Sequence, residues 1–226
     1  MKTVAILASG PRDLNRCRWI ELFNNKPCIT HVINNCKIND NIKISVIINE
    51  KNLELNNFLI KNHKDVIIIK TNNISMITSF EAAFNQDEND TLIVAGDLWN
   101  LKKKNVIKFL ESEYESAIYR VKVPWGNNIE SPDKSLFKRS DIGCSIFLIS
   151  NNDQKTFLND ENINNAKYYF KKFYPNEKVD INRSYIWTWL IYAYFFEICS
   201  SKNNKNEINS KKGAIYIDTL IYNDND

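Results

Sequence analysis

The sequence predicts an α/β protein: a mixed, mostly parallel sheet between two layers of helices. Three observations carry this. Through the first half, apolar runs of strand length alternate with segments of helical period. The runs Thr3–Leu7 and Thr91–Ala95 are apolar nearly throughout, as strands covered on both faces are, and they end in the small-residue turns Ala8-Ser9-Gly10 and Gly96-Asp97. The 226 residues are 43% hydrophobic and 12% aromatic, enough to bury a sizeable core.

The elements follow in order. Val4–Leu7 is the first strand. Ile29, Val32, Ile33 and Cys36 fall at i, i+3, i+4 and i+7, which makes a helix, with Pro27 tolerated in its first turn and Phe23–Pro27 leading in. Ile42, Ile44, Val46 and Ile48 alternate as a second strand. Leu55, Phe58 and Leu59 mark a second helix, Val66–Ile69 a third strand, Ile77, Phe80 and Phe84 a third helix, and Thr91–Ala95 a fourth strand. In the second half, Ala117–Val123 and Ser145–Ile149 read as strands. The loop between them, Pro124–Asp141, is of a length more often functional than idle. Asn151–Lys172 reads as helix, Ser184–Cys199 as a buried aromatic helix, and 201–212 as a polar loop. Ala214–Ile217 is the closing strand, followed by Asp218 and an acidic tail. No repeat and no linker divides the chain, so a single domain over 1–226 is expected.

Charge and cysteine usage exclude several classes. A net charge of +3 is too mild for a nucleic-acid binder, which concentrates a basic face. Five cysteines without a C-x-x-C pair read as reduced thiols of a cytoplasmic protein. The two histidines, His31 and His63, have no zinc-ligand spacing to a cysteine, and His31 is expected at the surface of its helix. The N-terminal apolar run is too short for a signal peptide. The charge-free stretch Ser184–Phe196 falls short of the roughly 20 residues a membrane span needs.

Three constellations have chemical potential. Gly10 permits close backbone approach to a phosphate, and Arg12, Arg16 and Arg18 behind it offer guanidinium forks to phosphate oxygens. The bland alternative, a strand-end glycine with solvated arginines, has equal weight on this segment alone. Asp97, at the end of an apolar strand, stands where ligands bind in open α/β sheets and suits Mg²⁺, which takes one or two carboxylates and fills its octahedron with water and phosphate. A turn or N-cap aspartate is the alternative. Asp218 follows the closing strand and would be a second carboxylate. Among the tryptophans, Trp187 and Trp189 at helical spacing read as core, and Trp125 in the loop as a pocket wall. Lys122 is a candidate for an acceptor phosphate. Neither a G-x-S-x-G elbow nor a P-loop is present.

Together these pieces resemble the nucleotidyltransferase superfamily of sugar-phosphate nucleotidylyltransferases and cytidylyltransferases, which includes the sugar-nucleotide pyrophosphorylases. Leu7-Ala8-Ser9-Gly10-Pro11-Arg12 stands for the family's Leu-Ala-Ala-Gly-x-Gly-Thr-Arg-like loop. Cys17-Arg18 falls where the family has Pro-Lys, and Pro27–Ile33 matches the helix that follows. Thr78–Ala83, with Ser79, resembles the helix after the nucleobase contacts. Leu92–Leu98 resembles the strand whose Asp holds magnesium, and Asp141–Phe147, with Gly143, the glycine-bearing strand near the acceptor. The likeness covers most of residues 3–150. It departs from the pattern where the loop lacks its second glycine and where arginine replaces the lysine, a bulkier, forked cation.

The resemblance implies a Rossmann-like three-layer α/β/α fold of the nucleotide-diphospho-sugar transferase type, with a nucleotide-binding half (1–110) and an acceptor-binding half (111–226). It implies transfer of a nucleoside monophosphate from a nucleoside triphosphate to a phosphorylated acceptor such as a sugar phosphate. Arg12 and Arg18 would be catalytic. Leu7, Ala8, Ser9, Gly10, Arg16, Ser79 and Gly96 would hold the nucleotide, and Lys122, Trp125 and Gly143 the acceptor. Asp97 and Asp218 would ligate Mg²⁺. No nucleic-acid or membrane partner is implied, and a homodimer through Tyr185–Phe196 stays open. So do two other readings: a metal-dependent glycosyltransferase, against which Gly96-Asp97-Leu98-Trp99 lacks a second acidic residue, and a non-catalytic nucleotide-binding domain of the same fold.

Overall fold

Strand β1 (Lys2–Ala8) is buried from Thr3 onward and is an interior strand, third in order, of a seven-stranded sheet. The structure is a computed structural model and describes residues 2–9, 17–72, 75–84, 89–121, 142–180, 186–196 and 211–217. After β1 come a one-turn 3₁₀ helix (Arg18–Ile20), the short strands β2 (Leu22–Phe23) and β3 (Lys26–Pro27), and helix α1 (Cys28–Cys36). There follow β4 (Ile44–Asn49), α2 (Leu53–Asn62), β5 (Ile67–Thr71), α3 (Met76–Phe84), β6 (Asp90–Ala95) and α4 (Lys103–Leu110). The remainder is β7 (Ser116–Val121), β8 (Ile142–Ile149), α5 (Asn151–Phe157), α6 (Asp160–Phe173), α7 (Ile186–Tyr194) and β9 (Lys212–Ile217).

The sheet order is β5-β4-β1-β6-β8-β7-β9. β5, β4, β1 and β6 run parallel, β8 pairs antiparallel with both β6 and β7, and β7 and β9 are parallel to each other. One reversed strand in seven is the mixed, mostly parallel sheet the sequence predicts. Alternation along β1 sorts the two faces. Val4, Ile6 and Ala8 pack with Ile29, Val32 and Ile33 of α1, Leu55 and Leu59 of α2, and Val106 and Phe109 of α4. Ala5 and Leu7 face the other layer, where Phe80 of α3, Phe157 of α5, Phe170 of α6 and Ile191 of α7 meet. Fully burying one such side chain contributes roughly 1.5–3 kcal/mol, so both helical layers are held chiefly by apolar area. Among the described residues no helix is long and apolar enough to cross a membrane.

Several elements differ from expectation. Asn24 and Asn25 adopt positive φ, 49° and 61°, and make a tight hairpin of β2 and β3 where the sequence suggested a simple lead-in. His31 is half-buried rather than at the surface: its Nε2 bonds the Phe23 carbonyl at 2.7 Å, tying α1 to the hairpin. Ile42 lies in the turn before β4, and β4 is buried over Ile44–Ile48 instead of alternating. Helix α4 is additional. The helix expected over Asn151–Lys172 is two, because Asn159 caps a fresh start by accepting from the Asn162 N–H at 2.8 Å. Lys212 opens β9 rather than closing a loop. Trp189 is buried, and Trp187 meets Phe80 and Phe147 edge-on, so both are core as expected.

A candidate nucleotide site at the carboxyl edge of the sheet

The site is built where β1 and β6 end side by side. Their ladder runs in register from Lys2↔Asp90 to Leu7↔Ala95. The Gly96 N–H then donates to the Leu7 carbonyl at 2.9 Å and carries the pairing one residue beyond β6. Gly96 is required here by close approach. A Cβ at this position would stand 2.9 Å from the Leu7 oxygen, 3.2 Å from the Ala8 Cβ and 3.2 Å from Cδ1 of Trp19. The turn that follows is closed by the Trp99 N–H donating to the Asp97 carbonyl at 2.9 Å, and it leaves the Asp97 side chain at the sheet edge.

The segment carrying Arg18 lies against this turn. Trp19 is buried and reaches Gly96. Asn52 donates from Nδ2 to the Cys17 sulfur at 3.6 Å, and the Cys28 N–H donates to the Glu21 carbonyl at 2.9 Å. The Phe23 ring stacks on Trp99 with centroids 5.2 Å apart and planes 7° from parallel. With the backbone so held, the Arg18 guanidinium contacts the Asp97 carboxylate. The two side chains remain 32% and 37% exposed. Pairs this exposed typically contribute only about 0–1 kcal/mol, so the fold depends little on this one.

Beneath the pair, Cys28 donates from Sγ to the Gly96 carbonyl at 3.8 Å. Burial pushes its thiol up to about 11, outweighing the nearby Arg18 charge that acts the other way. The group is therefore a neutral thiol at physiological pH, not a thiolate nucleophile. Burial also raises Cys17 and, to about 12, Cys36.

On the other side of β1, Ser9 is buried and its hydroxyl lies 2.5 Å from that of Ser79 in α3. Ser79 also donates to the Ser75 carbonyl at 3.2 Å. Either hydroxyl can be the donor in the Ser9–Ser79 contact, and the two buried groups satisfy each other at this corner.

The structure thus brings Leu7, Ala8, Ser9, Arg18, Ser79, Gly96 and Asp97 to one sheet edge. Leu7 and Ala8 are buried and contribute main chain and packing rather than exposed side chains. Gly143 pairs with Tyr119. Counted along the antiparallel register from Val94↔Ile146, it lies at the same end of the sheet as Asp97. Val121 and Ile217, which precede Lys122 and Asp218, pair with each other at that end too. Gly10, Arg12, Arg16, Lys122, Trp125 and Asp218 lie outside the described residues. Phe23, Trp99 and Cys28 were not singled out by sequence; the Asn-Asn hairpin signal was the available pointer to the first. Among the described residues no group of three or more His, Cys, Asp or Glu side chains gathers as a metal cluster.

No family model and no curated protein matches the sequence. Solved structures do. Rv0371c from Mycobacterium tuberculosis H37Rv superposes with a TM-score of 0.57 at 9% identity, covering 96% of this chain and 88% of that one. The same protein in complex with manganese gives 0.52 at 8%, covering 96% and 89%. A putative glucose-1-phosphate thymidylyltransferase from Bacillus anthracis, in complex with a sucrose, gives 0.56 at 13%, covering 96% and 87%. A 4-diphosphocytidyl-2C-methyl-D-erythritol synthase gives 0.53 at 14%, covering 70% and 78%. At these identities the likeness is one of fold, and at that level the resemblance read from the sequence is borne out.

Proposed function

We propose that this chain transfers a nucleoside monophosphate from a nucleoside triphosphate to a phosphorylated acceptor, a sugar phosphate by preference, with release of pyrophosphate. An acceptor phosphate oxygen forms the new bond to the α-phosphorus, and the bond from that phosphorus to the bridging oxygen of pyrophosphate breaks in line. A phosphate monoester is largely dianionic at neutral pH, its second pKa being about 6, and needs no strong general base. Catalysis is then positioning and charge stabilisation. The observation that carries this reading is the meeting of one guanidinium and one carboxylate, Arg18 and Asp97, at the carboxyl edge of β1 and β6. The fold shared with a thymidylyltransferase and a diphosphocytidyl-methylerythritol synthase supports it.

In this reading Arg18, with Arg12 and Arg16, takes the triphosphate. The Ser9–Ser79 corner and the main chain at Ala8, Ser9 and Gly10 face the base and ribose. Lys122, Trp125 and Gly143 serve the acceptor. A single carboxylate, about a third exposed and paired with Arg18, fits a hard divalent ion that completes its shell with phosphate oxygens and water. Asp97, with Asp218, would hold it, and we assign Mg²⁺. Such an ion supplies neutralisation of phosphate charge when bound. The manganese complex of Rv0371c supports a divalent ion on this fold. The test is pyrophosphate release from a panel of nucleoside triphosphates and sugar phosphates with Mg²⁺. Release that needs both substrates is expected. Nucleotide-sugar turnover without pyrophosphate, or no turnover with any pair, would overturn the reading.

A further inference from the structure

Arg18 and Asp97 stand 79 positions apart and come from different elements, the 3₁₀ turn ahead of the hairpin and the turn after β6. Their charged tips touch, yet each side chain is about a third exposed. The backbones beneath them are fixed by contrast. Trp19 is buried against Gly96, the hairpin is closed by the Cys28 N–H on the Glu21 carbonyl, and Phe23 stacks on Trp99. The tips can therefore change partners by side-chain rotation alone while the frame stays in place.

A guanidinium and a divalent cation repel each other, and both need the oxygens of the same carboxylate. We infer that Arg18 is the resting counter-ion of Asp97, and that loading exchanges it: the guanidinium passes to phosphate oxygens as the divalent ion takes the carboxylate. This rests on the nucleotidyl-transfer reading of the site. The ion alone meets a carboxylate already neutralised, and the nucleotide alone meets an arginine already engaged. Each ligand removes the obstacle to the other, so the two load with positive coupling, equal in both directions. Arginine suits this role because it stays charged throughout and its fork fits carboxylate and phosphate alike.

The experiment is a Mn²⁺ titration of the full chain without nucleotide, read by the loss of the free-ion electron paramagnetic resonance signal. Wild type is compared with Arg18→Met, Arg18→Gln and Arg18→Lys, each first shown to be folded by circular dichroism. The charge-removing variants are expected to bind Mn²⁺ about tenfold more tightly than wild type, in the usual range of coupling between sites. Arg18→Lys, which keeps the cation, stays near wild type. Adding Asp97→Asn to Arg18→Met abolishes the gain. Equal or weaker Mn²⁺ binding by both Arg18→Met and Arg18→Gln overturns the exchange, whatever the pyrophosphate assay gives. Conversely, a tenfold gain with no pyrophosphate release from any substrate pair sinks the transfer reading and leaves the counter-ion role standing.

Discussion

Ser9 at the end of β1 and Ser79 in α3 meet through their hydroxyls at 2.5 Å, both buried, and this contact ties the strand that ends in the candidate site to the helix layer beneath it. Replacing Ser79 leaves the buried Ser9 hydroxyl without this partner, whereas Ser79 in a Ser9 variant keeps the Ser75 carbonyl. Ser79→Ala is expected to cost about 1–3 kcal/mol. The double variant Ser9→Ala/Ser79→Ala should cost less than the sum of the single changes. Urea unfolding of the four proteins measures the cycle; strict additivity would mean that the hydroxyls do not interact.

Gly96→Ala tests the close approach of β6 to β1 and Trp19. The added Cβ meets a main-chain oxygen at 2.9 Å, which cannot swing aside as a flexible side chain would. Overpacking of this kind costs roughly 1–3 kcal/mol. The displaced turn should also weaken Mn²⁺ binding at Asp97. An unchanged melting temperature would show that the turn yields freely.

Most of the sheet was legible because strands buried on both faces read as unbroken apolar runs, as Val4–Leu7 and Leu92–Val94 do. The turn Gly96-Asp97 stood out for the same reason: polar residues follow abruptly on an apolar run. What escaped has physical causes. Helix α4 is short, its buried face amounts to Asn105, Val106 and Phe109, and the lysines at its start, Lys103 and Lys104 behind the capping Lys102, look like loop. The hairpin has strands of two residues, too short for any period. The reversal of β8 leaves no local trace, since strand direction is set by connections. His31 was misread because its partner, the Phe23 carbonyl, exists only once the hairpin forms. The Arg18–Asp97 pair joins residues far apart in the chain, and nothing in either segment announces the other.

The Phe23–Trp99 stack is expected to hold the Arg18 segment in place. Trp99→Ala removes an aromatic pair worth about 0.5–1.5 kcal/mol beyond its area. Trp99→Phe keeps a flat face. If the stack positions Arg18, Trp99→Ala raises the KM for nucleoside triphosphate several-fold and Trp99→Phe restores most of it. Equal kinetics for both variants would limit the stack to packing.

His63 predicts an acid-side loss of stability. It is buried, with Nε2 3.0 Å from the Thr30 hydroxyl, and burial, then the Lys37 charge, lower it from the ordinary 6.5, with Asp65 opposing. Above that value it is neutral folded and unfolded, and its contribution is intact. As pH falls below it, the unfolded chain takes up a proton that the folded chain resists, so stability declines through that window. Thermal melts between about pH 7 and pH 5 should show this decline in wild type and a flatter profile in His63→Gln. Parallel profiles would remove His63 as the cause.

Asp97→Asn bears most directly on the central claim, that the carboxyl edge of β1 and β6 performs metal-assisted nucleotidyl transfer. The substitution keeps the shape of the side chain and removes an ion pair that the fold hardly needs, so the melting temperature should hold. Pyrophosphate release should fall roughly 100-fold or more, as on removal of charge-stabilising groups in other active sites. A folded Asp97→Asn protein that retains more than about a tenth of wild-type release would contradict the account.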